Sequence, residues 1–180
     1  MRIISGNFRG KQIKAPVNLP VRPTTDFAKT GLFNMLNSRF RMMTLKVLDL
    51  YAGTGSLSYE FFSRGSMSVT AVDHDAGCVK FIRQTFEMLK APSGVSAVLS
   101  EVNSYLERTT SQYDIIIADP PFAITPAEEL VTIIFDKDLL TEKGIFILEH
   151  KSTEVYDALP HFLEKRKYGN VTFTFFKKVG

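Results

Sequence analysis

The chain has 180 residues, of which 44% are hydrophobic and 23% charged, so it is long enough for one well-buried core and too short for two ordinary domains with a linker. No segment approaches the roughly 20 apolar residues of a membrane-spanning helix, and the first residues lack the apolar stretch of a signal peptide. We therefore expect a cytoplasmic protein with no membrane partner.

Metal and disulfide chemistry find little support in the composition. The single cysteine, Cys78, cannot form an internal disulfide and lacks the paired spacing of a zinc site. The three histidines do not fall at the i, i+4 spacing of metal ligands. We predict no bound metal.

The charge is distributed unevenly along the chain. Residues 1–46 contain nine basic side chains and one acidic one, whereas the rest contains 13 basic and 18 acidic side chains. A basic arm ahead of a mildly acidic body is typical of a polyanion-binding extension, because each neutralised phosphate releases counterions. Nucleic acid is the natural partner, and a solvated basic surface is the simpler alternative.

Residues 1–44 are predicted to form a basic, RNA-binding extension made of a short hairpin and a helix. Apolar and polar side chains alternate over residues 2–14, which favours the hairpin. The proline-rich stretch 15–23 is expected to be an extended connector. The Thr24–Asp26 segment can cap a following helix, in which apolar residues recur at i, i+3, i+4, i+7 and i+8.

From residue 45 onward, short apolar strands alternate with amphipathic segments, as in a parallel sheet with crossover helices on both faces. We predict an α/β domain over residues 45–180, with a Rossmann-like, seven-stranded, mostly parallel sheet that ends in an antiparallel hairpin. The predicted strands are 45–51, 68–73, 95–99, 113–118 and 144–149, followed by the hairpin at 165–178. The predicted helices are 56–64, 76–90, 102–109, 126–136 and 153–164.

The segment from Val47 to Gly55 is an apolar strand that ends in a glycine turn, where a cofactor can be held. Ser58 stands where the third glycine of a pyrophosphate-binding fingerprint would be, and Asp49 would repel a pyrophosphate. Asp49 instead suits a ligand that carries an ammonium and a sulfonium. We predict S-adenosylmethionine as the cofactor; a purely structural tight turn is the alternative.

Asp73 ends the next predicted strand, 18 residues after Gly55, where a carboxylate can accept hydrogen bonds from both ribose hydroxyls. We interpret Asp75 as the cap of the following helix. Glu101, after the third strand, can accept from the adenine amino group, or it is a solvated loop residue. The predicted cofactor-binding residues are Asp49, Tyr51, Gly53, Gly55, Asp73, Glu101 and Val102.

A carboxylate, two stiff prolines and an aromatic ring follow the buried run 113–118, which predicts a pocket for a planar amino group. An aromatic amine is a poor nucleophile, because its lone pair is delocalised, so the site must orient that pair toward the methyl group. Asp119 and the Pro120 carbonyl can each accept one N–H hydrogen while Phe122 stacks on the base. The predicted catalytic residues are Asp119, Pro120, Pro121 and Phe122.

Several segments together resemble the bacterial 16S ribosomal RNA guanine-N2 methyltransferases. They are Met1–Gly6, Arg22-Pro23-Thr24-Thr25-Asp26, Leu32–Leu36, Asp49–Gly55 and Asp119-Pro120-Pro121-Phe122. The resemblance covers nearly the whole chain. It implies methylation of one guanine N2 in 16S ribosomal RNA or a small-subunit particle, with S-adenosylmethionine as methyl donor.

On the same resemblance, Arg22, Thr24 and Asp26 would shape the target pocket, although helix capping is the alternative for Thr24 and Asp26. Arg9 and Lys11 of the basic extension complete the predicted substrate-binding residues. The chain departs from the family pattern in three places. They are Asp73 for a more usual glutamate, Phe27 for a basic residue and Glu101 for asparagine or aspartate.

Other targets remain open at this level. An adenine-N6 or cytosine-N4 methyltransferase that acts on DNA or another RNA would use the same kind of pocket. A non-catalytic RNA-binding assembly factor could keep the fold. An NAD-dependent oxidoreductase is disfavoured by Ser58. We expect a monomer.

Overall fold

A computed structural model of the protein describes residues 1–19, 24–121 and 126–178. Its strands are β1 (Lys46–Leu50), β2 (Ser68–Asp73), β3 (Val95–Leu99), β4 (Tyr113–Ala118), β5 (Leu140–Lys151), β6 (Phe162–Tyr168) and β7 (Val171–Lys177). Its helices are α1 (Asp26–Arg39), α2 (Ser56–Ser63), α3 (Ala76–Met88), α4 (Val102–Arg108) and α5 (Ala127–Asp136), with a short 3-10 helix at Met42–Thr44. No described helix is long and apolar enough to cross a bilayer.

The strands form one seven-stranded sheet in the order β3-β2-β1-β4-β5-β7-β6. The strands from β3 to β5 in this order pair in parallel, whereas β7 pairs antiparallel with both β5 and β6. The predicted α/β fold with an antiparallel C-terminal hairpin is therefore confirmed. The sheet order reverses at β1, and ligands bind at such switch points in open α/β sheets.

Side chains on the central strands alternate between two hydrophobic cores. Odd-numbered residues such as Val47 and Ile117 lie in the first core, together with residues of α1, α2 and α3. Even-numbered residues such as Leu48 and Ile116 lie in the second core, with residues of α4 and α5. Because successive strand residues point to opposite faces, the face of a residue at a strand end follows from its number.

The N-terminal segment packs on the first core through Ile3 and Ile13, which are both buried. Of the predicted hairpin, the described residues form one antiparallel bridge, between Arg2 and Gln12. The chain between them makes tight turns, because Gly6 takes a positive φ against the C-terminal end of α2. Residues 20–23 of the predicted connector lie outside the described residues. The division of the chain at residue 44 stays a prediction.

A buried glutamate attaches this segment to α2. Glu60 is fully buried, and its carboxylate accepts the backbone N–H groups of Ile4 at 2.9 Å and Ser5 at 3.0 Å. Lys29 Nζ lies 3.7 Å away and Arg64 Nη2 2.9 Å away. Burial lowers the pKa of Lys29, and the charge of Glu60 opposes that effect. One carboxylate thus joins the N-terminal segment, α1 and α2.

Two predicted helix caps are present. Thr25 is the N-cap of α1 and accepts the Ala28 N–H at 3.2 Å. Asp75 is the N-cap of α3 and accepts the Cys78 N–H at 2.8 Å. Short polar side chains satisfy the first free N–H groups of a helix in this way.

The predicted helix at 153–164 is wrong. Turns and irregular backbone occupy residues 152–161, and β6 begins at Phe162. Tyr156 and Leu159 are spaced like the apolar face of a helix, but both pack against the second core from turns. Pro160 has no N–H to continue a helical hydrogen-bond pattern. Strand β5 is also longer than predicted, since it begins at Leu140.

We predict that Glu60→Ala will lower the free energy of unfolding by about 3–5 kcal/mol, because it leaves buried cations and N–H groups without their partner. Urea unfolding measures the loss. The control is Glu87→Ala, at an exposed position on α3, which should change stability by less than about 0.5 kcal/mol. A similarly small loss for Glu60→Ala would contradict the role given to this carboxylate.

Candidate active site

Four neighbouring strands carry a carboxylate at or beside their carboxyl ends. In sheet order these are Asp73 on β2, Asp49 on β1, Asp119 directly after β4 and Glu149 on β5. All four have odd numbers and share the face of the first core, and Asp49, Asp73 and Glu149 are buried. Adjacent strands lie about 4.8 Å apart, so the carboxylates form a row. This row marks the candidate site.

Asp49 is held by Ser58, a residue of α2. The Ser58 hydroxyl donates to Asp49 Oδ2 at 2.5 Å, and both side chains are buried. Burial raises the pKa of Asp49 to about 7, and the hydrogen bonds from Ser58 oppose this shift. The sequence analysis used Ser58 only as evidence against a pyrophosphate-binding fingerprint, and it did not predict the hydrogen bond to Asp49.

The glycine turn after β1 is built around Asp73. Gly53 N–H donates to Asp73 Oδ2 at 2.8 Å, and Asp75 N–H donates to Oδ1 at 2.8 Å. Gly53 and Gly55 both take positive φ, and a Cβ at Gly55 would lie 2.8 Å from the Tyr59 ring. Each Asp73 oxygen keeps acceptor capacity beyond these bonds. The turn therefore needs its glycines and leaves a carboxylate able to bind hydroxyl groups.

The Asp-Pro-Pro turn lies beside the glycine turn. Asp119 N–H donates to Leu50 O at 3.4 Å, which continues the pairing of β4 with β1. Asp119 as a residue is exposed, but protein surrounds much of its carboxyl group, and this desolvation raises the pKa of Asp119 to about 6. Pro120 is half-buried and Pro121 exposed. Phe122 lies outside the described residues.

A cavity of about 660 Å³ opens next to Asp119, between the start of α1, the end of β5 and the β6–β7 turn. Thr24, Phe27, Asp119, Glu149 and Tyr168 are among the residues that line it. Phe27 is 68% exposed, and its ring packs edge-on against Tyr168 with the centroids 6.0 Å apart. A volume of this size is typical of small-ligand pockets.

Glu149 is a site residue that the sequence reasoning missed. It is 5% exposed, and Thr24 Oγ1 donates to its Oε2 at 2.9 Å. Burial first, and then the charge of Asp119, raise the pKa of Glu149 to about 8. A charged residue directly after the apolar run Ile145–Leu148, at the carboxyl end of a parallel strand, was the signal that could have revealed it.

The remaining predicted cofactor residues lie along the same edge of the sheet. Tyr51 follows β1 with a positive φ and is half-buried. Glu101 is exposed and precedes α4, while Val102 is buried in the second core. Their contacts with a cofactor stay predictions. Within the described ranges, no group of three or more His, Cys, Asp or Glu side chains is arranged to hold a metal ion.

The other predicted substrate contacts that the structure describes do not converge on the cavity. Asp26 forms an ion pair with Arg2 at 3.0 Å and is not part of the cavity lining. Arg9 and Lys11 are exposed on turns that contact the C-terminal end of α2, whereas the glycine turn lies at its other end. Arg22 lies outside the described residues. Binding of RNA by these residues stays a prediction.

Comparison with known proteins identifies the family. The sequence model of the family described as conserved hypothetical protein 95 matches residues 1–177. The chain belongs to this family. A relative, the ribosomal RNA small subunit methyltransferase D of Escherichia coli K12, is 30% identical over 160 residues, which cover 89% of this chain and 78% of the relative. The enzyme of the same name from Haemophilus influenzae is 28% identical over 152 residues, which cover 83% of this chain and 78% of that relative.

Several solved structures have the same fold as this chain. A hypothetical protein of Thermus thermophilus superposes with a TM-score of 0.85 at 24% identity and covers 99% of both chains. A 16S rRNA guanine-N2 methyltransferase of the same organism, solved in complex with AdoMet and guanosine, gives a TM-score of 0.71 at 23% identity, over 89% of this chain and 45% of its own. The predicted Rossmann-like methyltransferase fold and the predicted family are confirmed.

We predict that Asp49→Asn will gain stability relative to the wild type as the pH rises from about 4 to about 7. The pKa of Asp49 is raised in the folded protein, so the folded state binds more protons than the unfolded chain in this window, and ionisation costs stability as the pH rises. Asparagine removes that cost. Urea unfolding of both ligand-free proteins across this pH range measures the difference, and a difference independent of pH would contradict the assignment.

Proposed function

We propose that this protein transfers a methyl group from S-adenosylmethionine to the exocyclic N2 of a guanine in 16S ribosomal RNA. The observation that carries the proposal is the contact between two turns at the carboxyl edge of the sheet. The hydrogen bond from Asp119 N–H to Leu50 O puts the Asp-Pro-Pro turn directly beside the glycine turn. Relatives that are named as small-subunit ribosomal RNA methyltransferases support the choice of substrate.

The described residues fit S-adenosylmethionine. Burial raises the pKa of Asp49, and the nearby charges of Asp73 and Asp119 add to the shift, so a cation bound here would be stabilised. The Asp73 oxygens can accept the ribose hydroxyls, and we expect Glu101 to accept from the adenine amino group. The start of α2, directly after Gly55, offers N–H groups to a carboxylate. When bound, the cofactor supplies an electrophilic methyl group on a sulfonium.

Asp119 and Pro120 orient the nucleophile. Their carboxylate and carbonyl oxygens accept the two N–H hydrogens of the amine, which turns the nitrogen lone pair toward the glycine turn. Methylation of this nitrogen by the bound cofactor would leave the amine positively charged and strongly acidic. Its proton leaves to Asp119 or to water. A carboxylate with a pKa of about 6 accepts such a proton transiently and releases it near neutral pH.

The cavity beside Asp119 accommodates a base that has been flipped out of its stack. Phe27, an exposed residue of the cavity lining, offers an aromatic face on which the base can stack. This contact would compensate for the stacking that the base loses when it leaves the RNA. The basic N-terminal segment supplies phosphate contacts outside the cavity. We propose that the protein acts as a monomer, in the cytoplasm, on 16S ribosomal RNA or the small-subunit particle.

Asp119→Ala should lower turnover on the order of 10²–10⁴-fold, because the amine loses an acceptor that orients it. Its affinity for S-adenosylmethionine should stay within about threefold of the wild type, since Asp49 and Asp73 remain. Turnover is measured with labelled cofactor on small-subunit particles, free ribosomal RNA and DNA, and affinity by calorimetry. Asp136→Ala, at the exposed end of α5, is the matched control.

Each outcome of this assay selects one function. Label in DNA would favour an adenine-N6 or cytosine-N4 enzyme. Wild-type protein that binds RNA but no cofactor would be an assembly factor. If the Asp119→Ala enzyme were active, Asp119 would not have the catalytic role proposed for it.

We also predict that replacing Arg9 and Lys11 together with alanine will weaken RNA binding at low salt. Each lost phosphate contact should reduce the slope of log affinity against log salt by about 0.7–0.9. Lys80→Ala combined with Lys143→Ala removes two exposed charges from the acidic body and serves as the control. Binding titrations at several salt concentrations measure the slopes, and equal slopes for both variants would show that these two residues contact no phosphate.

A further inference from the structure

We infer that Glu149 recognises the Watson–Crick edge of the target base by accepting the N1–H of guanine. The inference rests on the proposed function and names the residue that selects guanine among bases that carry an exocyclic amine. No motif in the sequence pointed to this residue, and its role follows from its place in the sheet.

The register of the sheet puts Glu149 beside Asp119. Ala118 on β4 pairs with Leu148 on β5, so the next residue of each strand lies side by side on the face of the first core. Both carboxyl groups line the cavity of about 660 Å³. A guanine whose amine reaches Asp119 can therefore turn its N1 toward the neighbouring strand, about 4.8 Å away.

The hydrogen bonding of Glu149 leaves an acceptor for a ligand. Thr24 donates to Oε2, and no hydrogen bond between described residues occupies Oε1. Glu149 is 5% exposed and lines the cavity, so Oε1 keeps little hydration and is open to a donor that enters the cavity. The ionised carboxylate can only accept a hydrogen bond at Oε1, and a donor on the ligand favours this ionised form. A donor carried by the ligand would complete the site.

Guanine supplies that donor in the required place. Its N1–H is adjacent to the carbon that carries N2, so one base edge offers donors to both Asp119 and Glu149. Adenine and cytosine instead present a bare ring nitrogen beside their amino group, and two lone pairs would face each other there. An acceptor at this position therefore discriminates against adenine and cytosine, because their ring nitrogen cannot donate a hydrogen bond to it.

2-Aminopurine tests this contact, because it keeps the N2 amine and lacks the N1 hydrogen. Small-subunit particles are assembled from ribosomal RNA ligated to carry guanosine or 2-aminopurine riboside at the methylated position. The ratio of kcat/KM for the two particles is measured for wild type, Glu149→Gln and Glu149→Leu. Calorimetry with S-adenosylmethionine verifies that each variant is folded.

The wild type should prefer guanine by about 10- to 100-fold, the effect of one hydrogen bond to a charged group. Glu149→Leu should bring the ratio close to one. Glu149→Gln keeps the size of the side chain and should narrow the ratio mainly by raising activity on 2-aminopurine, since its amide N–H can donate to the bare N1. Glu154→Gln, on the loop after β5 and outside the cavity lining, should leave the ratio unchanged.

The inference would be overturned if the wild type methylated both particles equally. It would also be overturned if the variants lost activity on both particles while the ratio stayed at its wild-type value, since Glu149 would then have only a structural role. If Glu149→Leu does not bind the cofactor, the ratio for Glu149→Gln decides alone. Failure of the proposed function gives a different result, because the wild type would then methylate neither particle.

Discussion

The site depends on the parallel register of β2, β1, β4 and β5. Because these strands pair in step, their odd-numbered residues share one face, and the sheet ends with four carboxylates in a row. Asp49 pairs with Ile117, two residues before Asp119, so the cofactor turn and the Asp-Pro-Pro turn emerge side by side. A slip of one residue in any of these strands would move its carboxylate to the opposite face. The fold thus concentrates carboxyl groups at the edge where we propose that a sulfonium and an amine meet.

The N-terminal segment is tied to the same site by two carboxylates. Glu60 joins it to α2, the helix that begins at the glycine turn. Glu149 receives a hydrogen bond from Thr24, just before α1, and so joins the segment to the cavity beside Asp119. Both carboxylates are buried, so their hydrogen bonds are shielded from water. The basic segment, for which we propose RNA contacts, is therefore connected directly to α2 and to the cavity wall.

Much of the fold was predictable because the parallel strands are short apolar runs bounded by polar or turn-forming residues. Asp49, Asp73 and Asp119 could be found in the same way, since each lies at or beside the end of such a run. The helix predicted over 153–164 failed because Tyr156 and Leu159 pack on the core from turns, a tertiary contact that imitates helical spacing. Ser58 and Glu149 were missed because their roles exist only across elements, from α2 to β1 and from β5 to β4.

The central claim is that the edge where β1 and β4 meet methylates the N2 of guanine. Identification of the modified nucleoside tests this most directly. Small-subunit particles from a strain that lacks the protein are incubated with purified protein and labelled S-adenosylmethionine. The ribosomal RNA is then digested to nucleosides, and the labelled nucleoside is identified by mass spectrometry. The proposal predicts that the label appears in N2-methylguanosine. Label in N6-methyladenosine or N4-methylcytidine, or in no nucleoside, would contradict it.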